Sequence, residues 1–493
     1  MKRTLTLILA LLMILSTFLA VACAETKEEE KETTNDETQG EIETEAETTR
    51  ADVSDDLPEN DYDGTSWRVL TYYANEYWLV MTNEECEDVL DESIVKRNQK
   101  IEDRFNIVID YYVPDNNYMG ATSALEETVM SGMSDYEVYM NHALEVGQKN
   151  SRNDLLINLS DCEYLDFDRE WWEGATESLK YNDVILMAVG SLDLMALNQA
   201  YGVAYNKTLG ADKNITDDLI ELTKNHEWTV EKFNSLIVNT WDDVNGDSTK
   251  DEDDVYGYVG TGRGGTSGLN WFFSTGFHTA KIEDDGTIVA DFMTEKVVDF
   301  TNWFYDIVWD NTNTYYDQDN WGLSNSFFYN KKAVFADVTL GNFMGYKEVD
   351  GMDYTIVPYP TWDDTETRYY SSVDGNHTAT GIPVTTADVE FASIILEAMN
   401  AETWRSVFPA YYDITLKAKG AQDAETEEML DLIANSRIYD FGYYYAWSNA
   451  PQAAVYKCVH AKGSDISSYY DANFKAKFEQ ELIDIQENFE KYL

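Results

Sequence analysis

The sequence predicts an α/β protein, and two observations carry that prediction. Between Ser66 and Met140 strand-like and helix-like segments alternate at short spacing, and about 430 residues follow an acidic N-terminal stretch, enough for two or three hydrophobic cores. Ser66 to Tyr73 (SWRVLTYY) reads as a first strand. Asp91 to Arg104 reads as a helix, with Ile94 and Ile101 seven residues apart on one face. Asn106 to Tyr112 gives a second strand, Ala121 to Gly132 a second helix, and Tyr136 to Met140 a third strand. Such alternation implies parallel pairing through crossovers, and in open sheets of this kind ligands meet the loops at the carboxyl ends of the strands. Tyr72, Tyr73, Asn141 and His142 would sit at that mouth. From Ala188 to Lys207 the chain is extended, ending in Tyr205-Asn206-Lys207, and Thr229 is placed to cap a helix in EWTVEKFNSLI. A last helix is expected over roughly Ala472 to Tyr492.

The N-terminus addresses the chain to an extracytoplasmic site. Residues 1–22 run from Lys2 and Arg3 through an apolar stretch to Ala20-Val21-Ala22, the pattern of a secretory signal peptide. Cys23 follows directly, as in a bacterial lipobox, where it would be lipidated and become the new N-terminus, although Ala20 stands where such motifs usually carry Leu. The other reading is ordinary cleavage after Ala24. Residues 23–63 are rich in Glu, Thr and Asp with almost no large apolar side chain, so they have nothing to bury against the entropy of ordering and are expected to be a disordered tether. About 40 such residues would average roughly 35 Å end to end.

A formal net charge of -57 repels phosphate backbones and anionic lipid faces, which argues against nucleic-acid binding and electrostatic membrane docking and leaves the lipid as the membrane contact. After Cys23, only Cys86, Cys162 and Cys458 remain, without zinc-like spacing, so no disulfide scaffold is expected. Aromatic residues make up 14% of the chain, rich in Tyr and Trp, whose rings carry a polar handle suited to partly polar ligands as well as to packing.

One local motif has its own chemistry. Asp243, Asn245, Asp247, Thr249, Asp251 and Asp254 fall at positions 1, 3, 5, 7, 9 and 12 of an EF-hand-like loop, oxygen donors at a spacing that suits a structural Ca²⁺. Ser248 replaces the glycine expected at position 6, where a positive φ is needed. The glycine-rich run Gly260 to Gly268 lacks the Gly-Lys-Ser/Thr ending of a phosphate loop and is expected to be a flexible loop near a cleft. There is no Gly-x-Ser-x-Gly elbow and no His-Glu-x-x-His helix, and the five histidines are scattered, so no catalytic constellation is expected. The alternative is a secreted glycoside-processing enzyme, whose paired carboxylates leave no sequence trace.

Tyr205-Asn206-Lys207, Trp228-Thr229 opening a helix, Tyr359 within the strand end Tyr354 to Pro360, Thr378 to Met399, Phe408 to Lys419 and Asn435 to Tyr445 occur in an order that resembles the family 1 extracellular solute-binding proteins of bacterial ABC importers. The resemblance implies a two-lobed, type II periplasmic-binding-protein-like fold with a central cleft and several interlobe crossings. It divides the chain into lobe 1 (64–190 plus 378–400) and lobe 2 (191–377 plus 401–493), with crossings near Ser191 to Ala204 and Ser371 to Gly381. It implies a monomeric, lipid-anchored protein on the outer face of the cell membrane that takes a small-molecule solute, most readily a mono- or oligosaccharide, to ABC permease subunits. Peptides or cationic small molecules are the alternative ligands. For such a cleft, Trp172, Trp271, Trp321, Tyr370 and Trp447 are candidate stacking faces for sugar rings. Tyr72 and Tyr73 stand at the strand mouth, and Glu76, Asn141, Asp193 and Asp374 are candidates to bond hydroxyls.

Overall fold

In the computed structural model, residues 49–79, 86–114 and 117–493 are described. The expected signal peptide, Cys23 and the tether up to residue 48 lie outside the described residues. The end of the expected tether is ordered, contrary to the sequence reading. Leu57 is buried, Tyr62 packs on Phe391 at 4.6 Å, and Asp55 pairs with Arg104 (2.7 Å) and Arg405 (3.1 Å). These few apolar side chains and a pair of arginines on the body supply what the acidic run itself lacks.

The first sheet begins with β1 (Thr65–Leu70). The chain then turns into a short helix, α1 (Tyr73–Leu79), so the strand expected to reach Tyr73 ends three residues earlier. Next come α2 (Val89–Phe105), β2 (Ile107–Tyr112), α3 (Tyr118–Ser131) and β3 (Val138–His142). Asp88 caps α2 by accepting from the backbone of Leu90 and Asp91, with Asp91 returning the bond, and Ile94 and Ile101 are both buried as their spacing predicts. Gly132 closes α3 at φ 69°, a left-handed turn that glycine enters without strain. β1 pairs in parallel with both β2 and β3.

The second sheet uses β4 (Tyr201–Asn206), then, after α4 (Val230–Leu236), β5 (Tyr256–Thr261), and, after α5 (Thr266–Ser274), β6 (Thr314–Asp317), β7 (Ala333–Thr339) and β8 (Tyr354–Val357). Thr229 caps α4 by accepting from the Lys232 amide at 3.2 Å, as the sequence predicts. The strand order is β8-β4-β7-β5-β6, antiparallel on the β4 side and parallel around β5. β9 (Thr378–Gly381) then returns to the first sheet, antiparallel to β3 with Thr378 opposite His142, completing the order β9-β3-β1-β2. The chain therefore passes from one sheet to the other between β3 and β4 and back between β8 and β9.

α6 (Val389–Glu402) follows β9 and is buried throughout from Phe391 onward. Its Glu397 carboxylate accepts from both Trp171 Nε1 (2.8 Å) and Trp172 Nε1 (2.9 Å), and burial pushes its pKa up to about 7. The remaining chain forms α7 (Ala424–Asn435), α8 (Phe441–Tyr445), α9 (Gln452–His460) and α10 (Lys475–Phe489). The expected last helix is broken at Phe474, and its main part buries Phe478, Leu482, Ile485 and Phe489. That part ties distant segments together: Glu481 pairs with Arg152, Gln486 accepts from Ile288 N (2.9 Å), and Tyr492 donates to Leu156 O (3.1 Å). Cys162 and Cys458 are free thiols, and among the described residues no helix is long and apolar enough to cross a membrane.

Candidate functional site

A cavity of ≈ 560 Å³ opens between the two sheets, where the end of β3 faces the start of α5. Its first-sheet wall is His142, the last residue of β3, with Tyr118 from the start of α3 and Leu144. Its opposite wall is α5, which presents Thr266, Leu269, Asn270 and Phe273, a spacing that puts all four on one helical face. The return crossing supplies Ser372, Asp374 and Asn376, and Tyr443 and Trp447 close the side nearest the C-terminal helices.

Rings and polar groups are interleaved here. His142 lies between Tyr118, at 4.8 Å, and Trp447, at 6.0 Å and tilted by 26°. Burial pushes its pKa down to about 4, so the imidazole is neutral near pH 7, and its Nδ1 is buried with no hydrogen-bond partner among the described residues. Phe273 packs on Tyr443 at 5.2 Å. Asn270 is fixed by the Ser372 hydroxyl, which donates to its Oδ1 at 2.9 Å. Asp374 is held by its backbone, whose N–H donates to Gln199 O (3.1 Å), while its Oδ1 accepts from Asn376 N (2.9 Å). Burial raises its pKa, and among the described residues no lysine or arginine pairs with it.

Two glycines shape the rim. A Cβ on Gly264, which has φ 71°, would come within 2.5 Å of Trp321 Cη2, so this glycine lets the ring lie against the backbone, with Arg263 5.5 Å above the same ring. A Cβ on Gly375 would stand 2.4 Å from Leu144 Cδ1, so the return crossing approaches the first sheet closely only because this position is bare. The glycine-rich run is thus a strand end, a tight turn and the first turn of α5.

The structure brings three of the expected ligand contacts, Trp321, Asp374 and Trp447, to the cavity. Two more stand one layer behind it. The Tyr72 hydroxyl donates to Asn376 O at 3.3 Å, and Asn141 Nδ2 donates to Tyr118 O at 3.0 Å because neighbouring residues on β3 point to opposite faces. Five others do not line it. Tyr73 is exposed on α1, and Tyr370 packs beside Gly276 under Arg368. Trp172 is buried on Glu397. Trp271 is fully buried on the far face of α5, donating to Tyr258 OH (2.8 Å), which donates to Asp337 (2.6 Å). Asp193 is buried in the first crossing, accepting from Thr378 Oγ1 (2.6 Å) and Met195 N (2.7 Å). The Glu76 side chain falls outside the described residues. Tyr118, Asn270, Phe273 and Tyr443 were not anticipated as contacts, although the spacing of Thr266, Asn270 and Phe273 carried the signal for α5.

In the acidic loop, Asp243 accepts from the amides of Gly246 (2.7 Å), Asp247 (3.1 Å) and Ser248 (2.8 Å), and Ser248 itself takes φ 63°, the turn for which glycine was expected. Asn245 accepts from Asp247 N, Asp247 from Thr249 N and Asp251 from Asp253 N. Asp254 is buried and accepts from Trp241 Nε1 (3.0 Å) and Val244 N (3.1 Å). Among the described residues no group of three or more His, Cys, Asp or Glu side chains is disposed to hold a metal ion.

No family model matches the chain, and no curated protein matches it in sequence. Solved structures do match in shape. A maltose-bound MalE3 of T. maritima is similar at 14% identity and a TM-score of 0.51, over 87% of this chain and 100% of its own. An ABC transporter solute-binding protein of Thermotoga lettingae with α-D-tagatose is similar at 12% identity and 0.51, over 86% and 100%. A cyclo/maltodextrin-binding protein complexed with maltotetraose is similar at 12% identity and 0.53, over 87% and 97%. At these identities the likeness establishes the architecture: this chain has the two-lobed α/β fold of periplasmic binding proteins.

Proposed function

We propose that this protein captures a carbohydrate in the cavity between its two sheets and hands it to the permease of a bacterial ABC importer. The observation that carries the reading is the cavity's composition: aromatic faces from Tyr118, Phe273, Trp321 and Trp447 alternate with the amides of Gln199, Asn270 and Asn376 and the neutral His142. A sugar offers an apolar C–H face and a rim of hydroxyls, and it needs both kinds of partner at once. The three fold neighbours named above hold maltose, tagatose and maltotetraose.

Capture without chemistry is the favoured mechanism. A glycosidase needs two carboxyl groups about 5 to 10 Å apart across the scissile bond, and Asp374 is the one carboxylate among the described lining residues. We assign residues 64–190 with 378–400 to one lobe and 191–377 with 401–493 to the other, closing on the solute about the two crossings, as a monomer. Ligand would then shift the population toward the closed state in proportion to its preference for it. Lipidation at Cys23 and display on the outer membrane face belong to the same proposal, supported by the leader sequence. A structural calcium in the Asp243–Asp254 loop does as well. Its support is the oxygen spacing and the left-handed Ser248, and it requires Asp254 to turn away from Trp241 and Val244.

The test is a thermal-shift screen against mono- and oligosaccharides, amino acids, short peptides and polyamines, with and without calcium. A saccharide present well above its dissociation constant raises the melting point because it binds the folded state alone. Silence from every saccharide, or turnover of a bound one, would contradict the proposal.

A further inference from the structure

The carboxylate of Asp374 is the one carboxyl group among the described residues lining the cavity. Its environment is incomplete in a specific way. One oxygen accepts from the Asn376 amide at 2.9 Å, the side chain is half-buried, and among the described residues no lysine, arginine or charged histidine stands against it. His142, which lines the cavity, and His377, three residues on from Asp374, are both neutral near pH 7, since burial holds their pKa values down at about 4 and about 3. His377 is committed besides, its Nε2 paired with Tyr444 OH at 2.7 Å. A partly desolvated carboxylate without a cation is costly, and the cost is recovered when a partner brings the opposite charge into the same low-dielectric site. The rest of the molecule reinforces this polarity, because a net charge of -57 draws cations toward the cavity mouth and repels anions.

We infer that the solute is an amine-bearing saccharide, with a free ammonium group seated on Asp374 and its ring faces against Trp447 and Trp321, and that acidic saccharides are excluded. The inference rests on the carbohydrate reading of the cavity and sharpens it. Asp374 reaches the site from the return crossing and is fixed on both sides by Gln199 O and Asn376 N, so the carboxylate is already in place before ligand arrives. Preorganisation of this kind lets a charge pair discriminate between ligands of the same shape.

Titration calorimetry on the intact chain decides it, with three matched series of the same chain length: neutral gluco-oligosaccharides, their 2-amino-2-deoxy counterparts with free amines, and oligouronates. The expected order is amino sugar tightest, neutral sugar at least tenfold weaker, and uronate without detectable binding. Asp374→Asn, which keeps the shape and removes the charge, is expected to abolish the advantage of the amino sugar, read as the ratio of its affinity to that of the neutral sugar in the same variant. A charge-assisted contact also weakens with salt, so the amino sugar's advantage should shrink between low and high ionic strength. Equal affinity for neutral and amino sugars in the parent chain, or an amino-sugar preference that survives Asp374→Asn, would overturn the inference while leaving carbohydrate binding intact. Absence of binding by all three series would instead remove the carbohydrate reading on which it rests.

Discussion

Trp271 and Trp447 show how two residues of the same type divide between packing and recognition. Trp271 has its indole N–H bonded to Tyr258 and its ring enclosed by Phe233, Trp303 and Tyr359. Trp447 is half-buried and lines the cavity beside His142. Trp271→Ala is therefore expected to cost about 3–5 kcal/mol of stability through the void it leaves, read as a fall in denaturation midpoint. Trp447→Ala should leave the midpoint within about 1 kcal/mol and weaken saccharide binding about tenfold, equivalent to about 1.4 kcal/mol, read by calorimetry. Asp193 gives a prediction in pH. Burial pushes its pKa up to about 7, against about 3.9 in an unfolded chain. The folded protein thus keeps this proton over a range in which the unfolded chain has lost it, so the contribution to stability is full below about pH 4 and is lost as pH rises to about 7. Relative to Asp193→Asn, the parent chain should lose stability steadily between pH 4 and 7 in denaturant titrations; a constant difference would contradict the assignment.

Among the elements, α5 decides the site. One face, Ser267 and Trp271, is fastened to the second sheet through Asp337 and Tyr258, and the other, Thr266, Asn270 and Phe273, looks into the cavity. The rigid face positions the recognising one. Gly264→Ala, just before the helix, adds a Cβ where Trp321 now lies and also strains a left-handed residue. It is expected to displace the indole and weaken binding severalfold at a modest loss of stability, measured by calorimetry alongside a melting curve. Several helices and strands were readable in the sequence because their signals are local: the Ile94 and Ile101 spacing, the Thr229 cap and the β-rich runs near Val69, Ile109 and Val138 each act within a few residues. The glycine-rich start of α5 masked the helix that the spacing of Thr266, Asn270 and Phe273 signals, and the sheet beneath it supplies its stability. The tryptophans were hard to sort for the same reason, since Trp172 is buried only through Glu397, 225 residues away in sequence.

For the whole molecule, the two crossings bring Asp193 from the outward segment and Thr378 from the return segment into one 2.6 Å hydrogen bond, close to the cavity wall that Asp374 and Asn376 provide. The arrangement places the connection between the sheets beside the cavity, where the proposed closure would be sensed. Residues 50–63 and the C-terminal helix α10 then strap the periphery through Arg104, Arg405 and Arg152. The C-terminal helix was legible in sequence but the docking of neither strap was, because an acidic segment reveals its basic partners only once the fold has gathered them. Saccharide binding in the cavity between the sheets is measured most directly by calorimetric titration of the chain with an oligosaccharide series in parallel with Trp447→Ala and Asn270→Ala. Saturable one-to-one binding by the parent chain, loss of at least tenfold in each variant, and recovery of the sugar unchanged after prolonged incubation are expected. No binding by any saccharide, or binding that both variants leave untouched, would contradict that expectation.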